Sequence, residues 1–145
     1  MLLVDSEAPI SPQHEQGNPD TWLPWQHLKQ RDGWDKPANA ANTDCHLMVQ
    51  VMENWFIADR TTLKAYFGQH FKDNQLPAVV NPIEGIAKLT VYGALKAATH
   101  GCKPKGEYGK GAHSFEILVL VDPAIVLIKS PWARRFVDEA KKKCV

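Results

Sequence analysis

Residues 45–53, CHLMVQVME, decide the fold. Gln50 interrupts an otherwise nearly continuous apolar run of strand length, and a run without polar alternation predicts a strand covered on both faces, as in a parallel sheet between helices. It ends in acid, at Glu53. The chain opens with a second such run, MLLV at 1–4, which also stops at carboxylates, Asp5 and Glu7. Residues two apart on an extended backbone project to the same side. If the two strands lie parallel and adjacent, Asp5, Glu7 and Glu53 meet at their carboxyl ends, where open α/β sheets carry their functional crevice. Three clustered carboxylates repel one another unless a cation is bound or a proton retained, and they are hard oxygen ligands suited to Mg²⁺ or Mn²⁺.

Composition bounds this reading. With 145 residues and 44% hydrophobic content the chain has the material for one core, and 1–145 is expected to be a single domain. Seventeen basic against sixteen acidic residues leave a net charge of +1, which excludes capture of nucleic acid or an anionic membrane by bulk charge; such a contact has to come from a local patch. Cys45, Cys102 and Cys144 are an odd count without metal or disulfide spacing, as in a reducing cytoplasm. The runs ILVLV and AIVLI are separated by Asp122 and Pro123, so neither reaches membrane-spanning length. The protein is expected in the cytoplasm, with no membrane.

The second half reads as helical. A short helix is expected over 21–29, restricted by Pro24. Asp59 is a good N-cap for a helix running to Phe67, which Gly68 closes. A loop follows over 69–82, then a helix over 83–100 with Ala87, Val91, Ala94, Leu95 and Ala98 on one face. Residues 112–120 and 123–128 favour helix, although ILVLV alone fits a strand equally. Ser130 caps a last helix with Pro131 at its first position and Trp132, Ala133, Phe136, Val137 and Ala140 as its apolar stripe. Arg134 and Arg135 fall opposite that stripe, as solvated charges. The five tryptophans serve as packing anchors, and His46 beside Cys45 lacks zinc spacing and packs. The loop KPKGEYGKG places Lys103, Lys105 and Lys110 among glycines around Tyr108 without the spacing of a nucleotide-binding loop, leaving a lysine contact to a phosphate as its functional alternative to a solvated loop.

The segments LLVDSEAP (2–9), WQHLKQRDGWDKP (25–37), HLMVQVMENWFIAD (46–59), KGEYGKGAHSF (105–115), DPA (122–124) and SPWARRF (130–136), in this order, resemble a bacterial family, domain of unknown function 4276, which is grouped with Toprim-like domains. The resemblance implies an α/β fold, a partial Toprim-like domain with a short parallel sheet core flanked by helices and a helix-rich C-terminal half. Toprim domains of topoisomerases, primases and overcoming-lysogenization-defect nucleases hold Mg²⁺ with a glutamate after their first strand and an acidic pair after a later one. VDSE resembles the later motif, with Asp5 and Glu7 in its acidic positions. Glu53 then matches a further acid of related nucleases, and Lys110 a later lysine. The resemblance also implies that the strand ending in VDSE follows an earlier strand with a Glu-Gly motif, so the sequence is expected to start inside the domain. It implies a Mg²⁺-dependent nuclease acting on nucleic acid beside an ATPase partner in phage defence. The alternative is a non-catalytic interaction module that docks a partner through its Trp- and Lys-bearing loops.

Overall fold

A computed structural model describes residues 1–78 and 82–145; residues 79–81 of the loop expected over 69–82 lie outside the described residues. The two apolar runs pair as expected. β1 (Leu2–Asp5) and β2 (Cys45–Met48) run parallel, in register from Leu2 against Cys45 to Asp5 against Met48. The crossover between them contains α1 (Pro24–Asp32), shifted three residues C-terminal of the expected start because Pro24 occupies the first helical turn, where its missing N–H is harmless. Gly33 closes α1 at φ 74°, a left-handed position that suits glycine.

The pleat sorts side chains into two cores. Leu2, Val4, Cys45 and Leu47 pack with Trp22, Trp25, Leu28 and Trp132 on one side, while Leu3 and Met48 join the larger cluster built by the helices that follow β2. Both faces of the sheet are therefore covered, which is what the unbroken apolar pattern demands. The result is a helix-rich α/β arrangement around a short parallel sheet.

β2 is shorter than its apolar run. It stops at Met48, and Glu53 stands in the first turn of α2 (Glu53–Ala58) instead of at a strand tip. Side chains take the backbone donors that a longer strand would use: the N–H of Val51 donates to Asn54 Oδ1 (3.1 Å) and that of Met52 to Asp5 Oδ1 (2.8 Å). α3 (Arg60–Phe67) begins at Asp59, whose carboxylate accepts from the N–H of Thr62 (3.2 Å) and also from that of Asp122 (2.9 Å), so the expected cap additionally fastens the chain at Asp122, far along the sequence.

The helix expected over 83–100 divides. Ile83–Gly85 is a 3-10 turn, and α4 starts only at Lys88 and runs to Thr99. The Asn54 amide explains the break, because it donates to the carbonyls of Ile83 and Ile86 (3.1 and 3.0 Å), removing both from helical use. Then follow α5 (Lys110–Leu120), which settles the ambiguous ILVLV as helix, α6 (Pro123–Lys129) and α7 (Pro131–Lys143), capped by Ser130 as expected. No single described helix is long and apolar enough to cross a membrane; α5 and α6 reach that length only together, across a 98° bend.

Arg135 departs from its expected solvated place. It is buried, donating to the carbonyls of Pro19, Cys45 and Asn42 (2.7 Å each) and to His46 Nδ1 (2.9 Å). His46 is a packing residue, edge-on to Phe136 at 5.4 Å.

Glu84 gives the fold a pH dependence. Its carboxylate accepts from the N–H of Trp132 (3.0 Å) and from the Ser130 hydroxyl, at the start of α7, and burial pushes its pKa up to about 7 from 4.5. A carboxyl that holds its proton longer when folded contributes stability that is full below pH 4.5 and lost as pH rises toward 7. Glu84→Gln is therefore expected to gain stability relative to the wild type between pH 5 and pH 8, by an amount on the order of 3 kcal/mol at most, read from denaturant midpoints at both pH values. An unchanged difference would mean that Glu84 ionises freely when folded.

Candidate functional site

The site lies where β1 ends. Asp5 is the last strand residue, on the pleat face it shares with Leu3, and its carboxylate is fixed between two donors: the Met52 N–H on Oδ1 and the Lys110 ammonium 3.4 Å from Oδ2. Burial raises the Asp5 pKa; Lys110 and the Met52 amide oppose this, and the nearby Glu53 charge reinforces it. Its side chain is 16% exposed.

Glu53 reaches the same place from the start of α2. It is fully buried, close enough to Asp5 for the two charges to act on each other. The Tyr108 hydroxyl donates to Glu53 Oε1 at 2.6 Å, whereas Oε2 has no hydrogen-bond partner. A buried carboxylate oxygen left without a partner is expensive, and such groups are rare in folded proteins. Burial first, then the Glu53 hydrogen bond and charge, pushes the Tyr108 hydroxyl far above its usual value, so it stays a donor.

Lys110, at the first position of α5, completes the centre. Its ammonium lies 3.4 Å from Asp5 Oδ2 and 3.3 Å from the Tyr92 hydroxyl. Burial works to discharge it, but the Tyr92 contact and the Glu53 and Asp5 charges outweigh burial and hold its pKa above the normal lysine value. It is a permanent cation beside two acids.

Glu7 does not join them. The strand has ended, Glu7 adopts φ 64°, and its carboxylate pairs with Lys88 at the start of α4. The expected meeting of three carboxylates thus reduces to Asp5 with Glu53; among the described residues no three His, Cys, Asp or Glu side chains stand together as a metal cage. Two carboxylates remain compatible with Mg²⁺, which usually keeps several waters and takes one or two protein carboxylates. The unpartnered Oε2 of Glu53, a carboxylate whose charge acts on Asp5, fits a hard cation.

Beside the pair lies a cleft of about 550 Å³, lined by Glu7, Lys88, Tyr92, Lys96, Tyr108 and Lys110 among others, of which Lys110 reaches Asp5 and Tyr108 reaches Glu53. Tyr92 and Tyr108 were not singled out by sequence reasoning as site residues. Tyr108 carries one usable signal, an aromatic among glycines and lysines in an otherwise polar loop; Tyr92 shares a helical face with Lys88 and Lys96, four residues to either side.

The family model described as domain of unknown function (DUF4276) matches residues 1–140. The chain belongs to this family. No curated protein and no solved structure matches it. The DUF4276 match takes in every residue of the centre, Asp5, Glu53, Tyr108 and Lys110.

Proposed function

We propose that this domain hydrolyses phosphodiesters with the help of Mg²⁺ or Mn²⁺. The observation that carries the reading is the buried, unpartnered Oε2 of Glu53, a residue whose charge acts on Asp5 and Lys110, with the Lys110 ammonium 3.4 Å from Asp5. The resemblance of VDSE to the acidic motif of Toprim-like domains supports it as analogy.

In this reading Asp5 and Glu53 hold the ion, directly or through water, and a bound divalent cation supplies charge stabilisation on phosphate oxygens and a more acidic water. The residues around them do the rest. The Met52 N–H and the Tyr108 hydroxyl fix one oxygen of each carboxylate, which leaves Glu53 Oε2 free to act. Lys110 stays protonated and neutralises the phosphate that enters the cleft. Glu7 acts at one remove, by holding Lys88 at the rim. The domain works in the cytoplasm beside an ATPase partner, in phage defence, as the resemblance implies.

The test is cleavage of plasmid DNA and of RNA with millimolar Mg²⁺ or Mn²⁺. Asp5→Asn keeps an acceptor for the Met52 amide but loses the charge, and it is expected to reduce cleavage by at least about 100-fold, because even partners outside the direct ligand set change metal affinity by 10–100-fold. Equal cleavage by wild type and variant sinks this centre.

One observation favours a second reading, an interaction module. Phe115 and Val119, one turn apart on α5, are 73% and 84% exposed, apolar side chains available to a partner. Thermal stability separates the readings. A metal that binds only the folded state raises the melting temperature, whereas a docking module is indifferent to it.

A further inference from the structure

The cleft extends away from the residues that touch the acids. Lys88, Tyr92 and Lys96 recur every fourth residue of α4, so they form one row along its face, about 12 Å long at 1.5 Å per residue, and all three line the cleft. Tyr108, Gly109 and Lys110 line it as well. The charges are arranged unevenly. Glu7 pairs with Lys88 and Asp5 with Lys110; Glu107, which also lines the cleft, stands 3.7 Å from the His100 ring, and Lys96 has no carboxylate partner among the described residues.

We infer that this row is the track for a single polynucleotide strand, an inference that rests on the hydrolytic reading of the same cleft. Lys96 takes a backbone phosphate at the far end of the row, Tyr92 supports the sugar and base between, and Lys88 and Lys110 flank the phosphodiester delivered to Asp5 and Glu53. Three observations point to this class. A net charge of +1 gives no bulk attraction, so the local lysines must supply it. Cationic groups interleaved with aromatic rings are the chemistry of single-strand grooves, where phosphates meet ammonium groups and bases meet π-faces. Asp5 and Glu53 are recessed behind the lining residues Lys110 and Tyr108, 16% exposed and buried respectively, a depth that a stacked duplex does not enter but a strand with unstacked bases does. A mononucleotide leaves Lys96 unused, since the row is longer than its phosphate tail.

The experiment measures fluorescence anisotropy of labelled oligo-dT and oligo-rU, each about a dozen nucleotides long, and of a duplex of the same length, with the full chain in EDTA. Removing metal separates binding from hydrolysis. Wild type is expected to bind at least one single strand more tightly than the duplex, and the tighter arm names DNA or RNA as the source. Lys96→Ala is expected to weaken single-strand binding about fivefold and to reduce the slope of log affinity against log salt by about 0.7, the share of one phosphate contact. Lys103→Ala, an exposed lysine outside the cleft, serves as the control and is expected to change neither. Equal affinity of wild type and Lys96→Ala, or a duplex bound as tightly as the strands, overturns the track. The two readings fail separately. Lys96-dependent binding with cleavage indifferent to Asp5→Asn removes the hydrolytic centre, whereas Asp5-dependent cleavage with Lys96-independent binding removes only the track.

Discussion

Arg135→Ala is expected to lose about 2–4 kcal/mol of stability, since hydrogen bonds from a charged group contribute about 1.5–3 kcal/mol and buried acceptors lose theirs. Arg135 donates to three carbonyls and a histidine, and each acceptor lies in a loop or strand far along the chain: Pro19 and Asn42 in the crossover, Cys45 and His46 in β2. Deleting the guanidinium strips the buried Cys45 carbonyl and His46 Nδ1 of their Arg135 donor, whereas the Pro19 and Asn42 carbonyls keep the backbone N–H groups of Trp22 and Cys45. The arrangement is neutral on the accepting side, with no carboxylate in the hydrogen-bond set, so the guanidinium fork itself carries the geometry. Arg135→Lys is expected to recover only part of the loss, because one compact ammonium does not span four acceptors. Burial, and then the Arg135 charge, depress the His46 pKa to about 4, which keeps Nδ1 free to accept while Nε2 faces the Thr43 carbonyl at 3.0 Å. Urea midpoints decide the matter, and a loss below about 1 kcal/mol for Arg135→Ala makes the network decorative.

Glu53→Gln is expected to move stability and function in opposite directions. The wild-type side chain is buried with one oxygen bonded to Tyr108 and the other unpartnered, near a second carboxylate. Glutamine retains an oxygen for Tyr108 and removes both the buried charge and its repulsion with Asp5. The gain is roughly 1 kcal/mol, or about 2–4 °C in melting temperature for a domain of this size. Metal-induced stabilisation and cleavage fall by on the order of 100-fold in the same variant. Such a trade is the signature of a group kept for function at the expense of the fold. A lower melting temperature together with undiminished cleavage makes Glu53 a structural residue and removes it from the centre.

The sequence made some of this legible for local reasons. An unbroken apolar run reports burial on both faces wherever the run sits, so the parallel pairing of β1 and β2 was readable from two short stretches. The caps at Asp59 and Ser130, and the stop at Gly68, act within a few residues and were equally plain. Glu53 was placed one element too early because Val49, Val51 and Met52 are apolar enough to extend a strand, while what ends it, the Asp5 and Asn54 side chains, is partly remote in sequence. The division of the 83–100 segment has the same origin in Asn54. Arg135 was unreadable. Helical periodicity put it on the polar face of α7, and only the tertiary fold turns that face onto the loops around β2. Of the candidate site, Asp5, Glu53 and Lys110 come together, Glu7 goes to Lys88, and the contacts of Tyr108 with Glu53 and of Tyr92 with Lys110 arise only from the tertiary fold.

The Arg135 network has a further consequence during synthesis. Its donor lies 90 residues after the Cys45 carbonyl and 116 after that of Pro19. A ribosome adding about 5–20 residues per second needs roughly 5–20 s to bridge the shorter of these intervals. Throughout that time the nascent first strand, Trp22 and Trp25 lack the helix that seals them, because Trp132 arrives on the same segment. The emerging polypeptide thus carries this apolar surface uncovered until α7 arrives, and a fragment that stops before α7 is expected to keep it exposed.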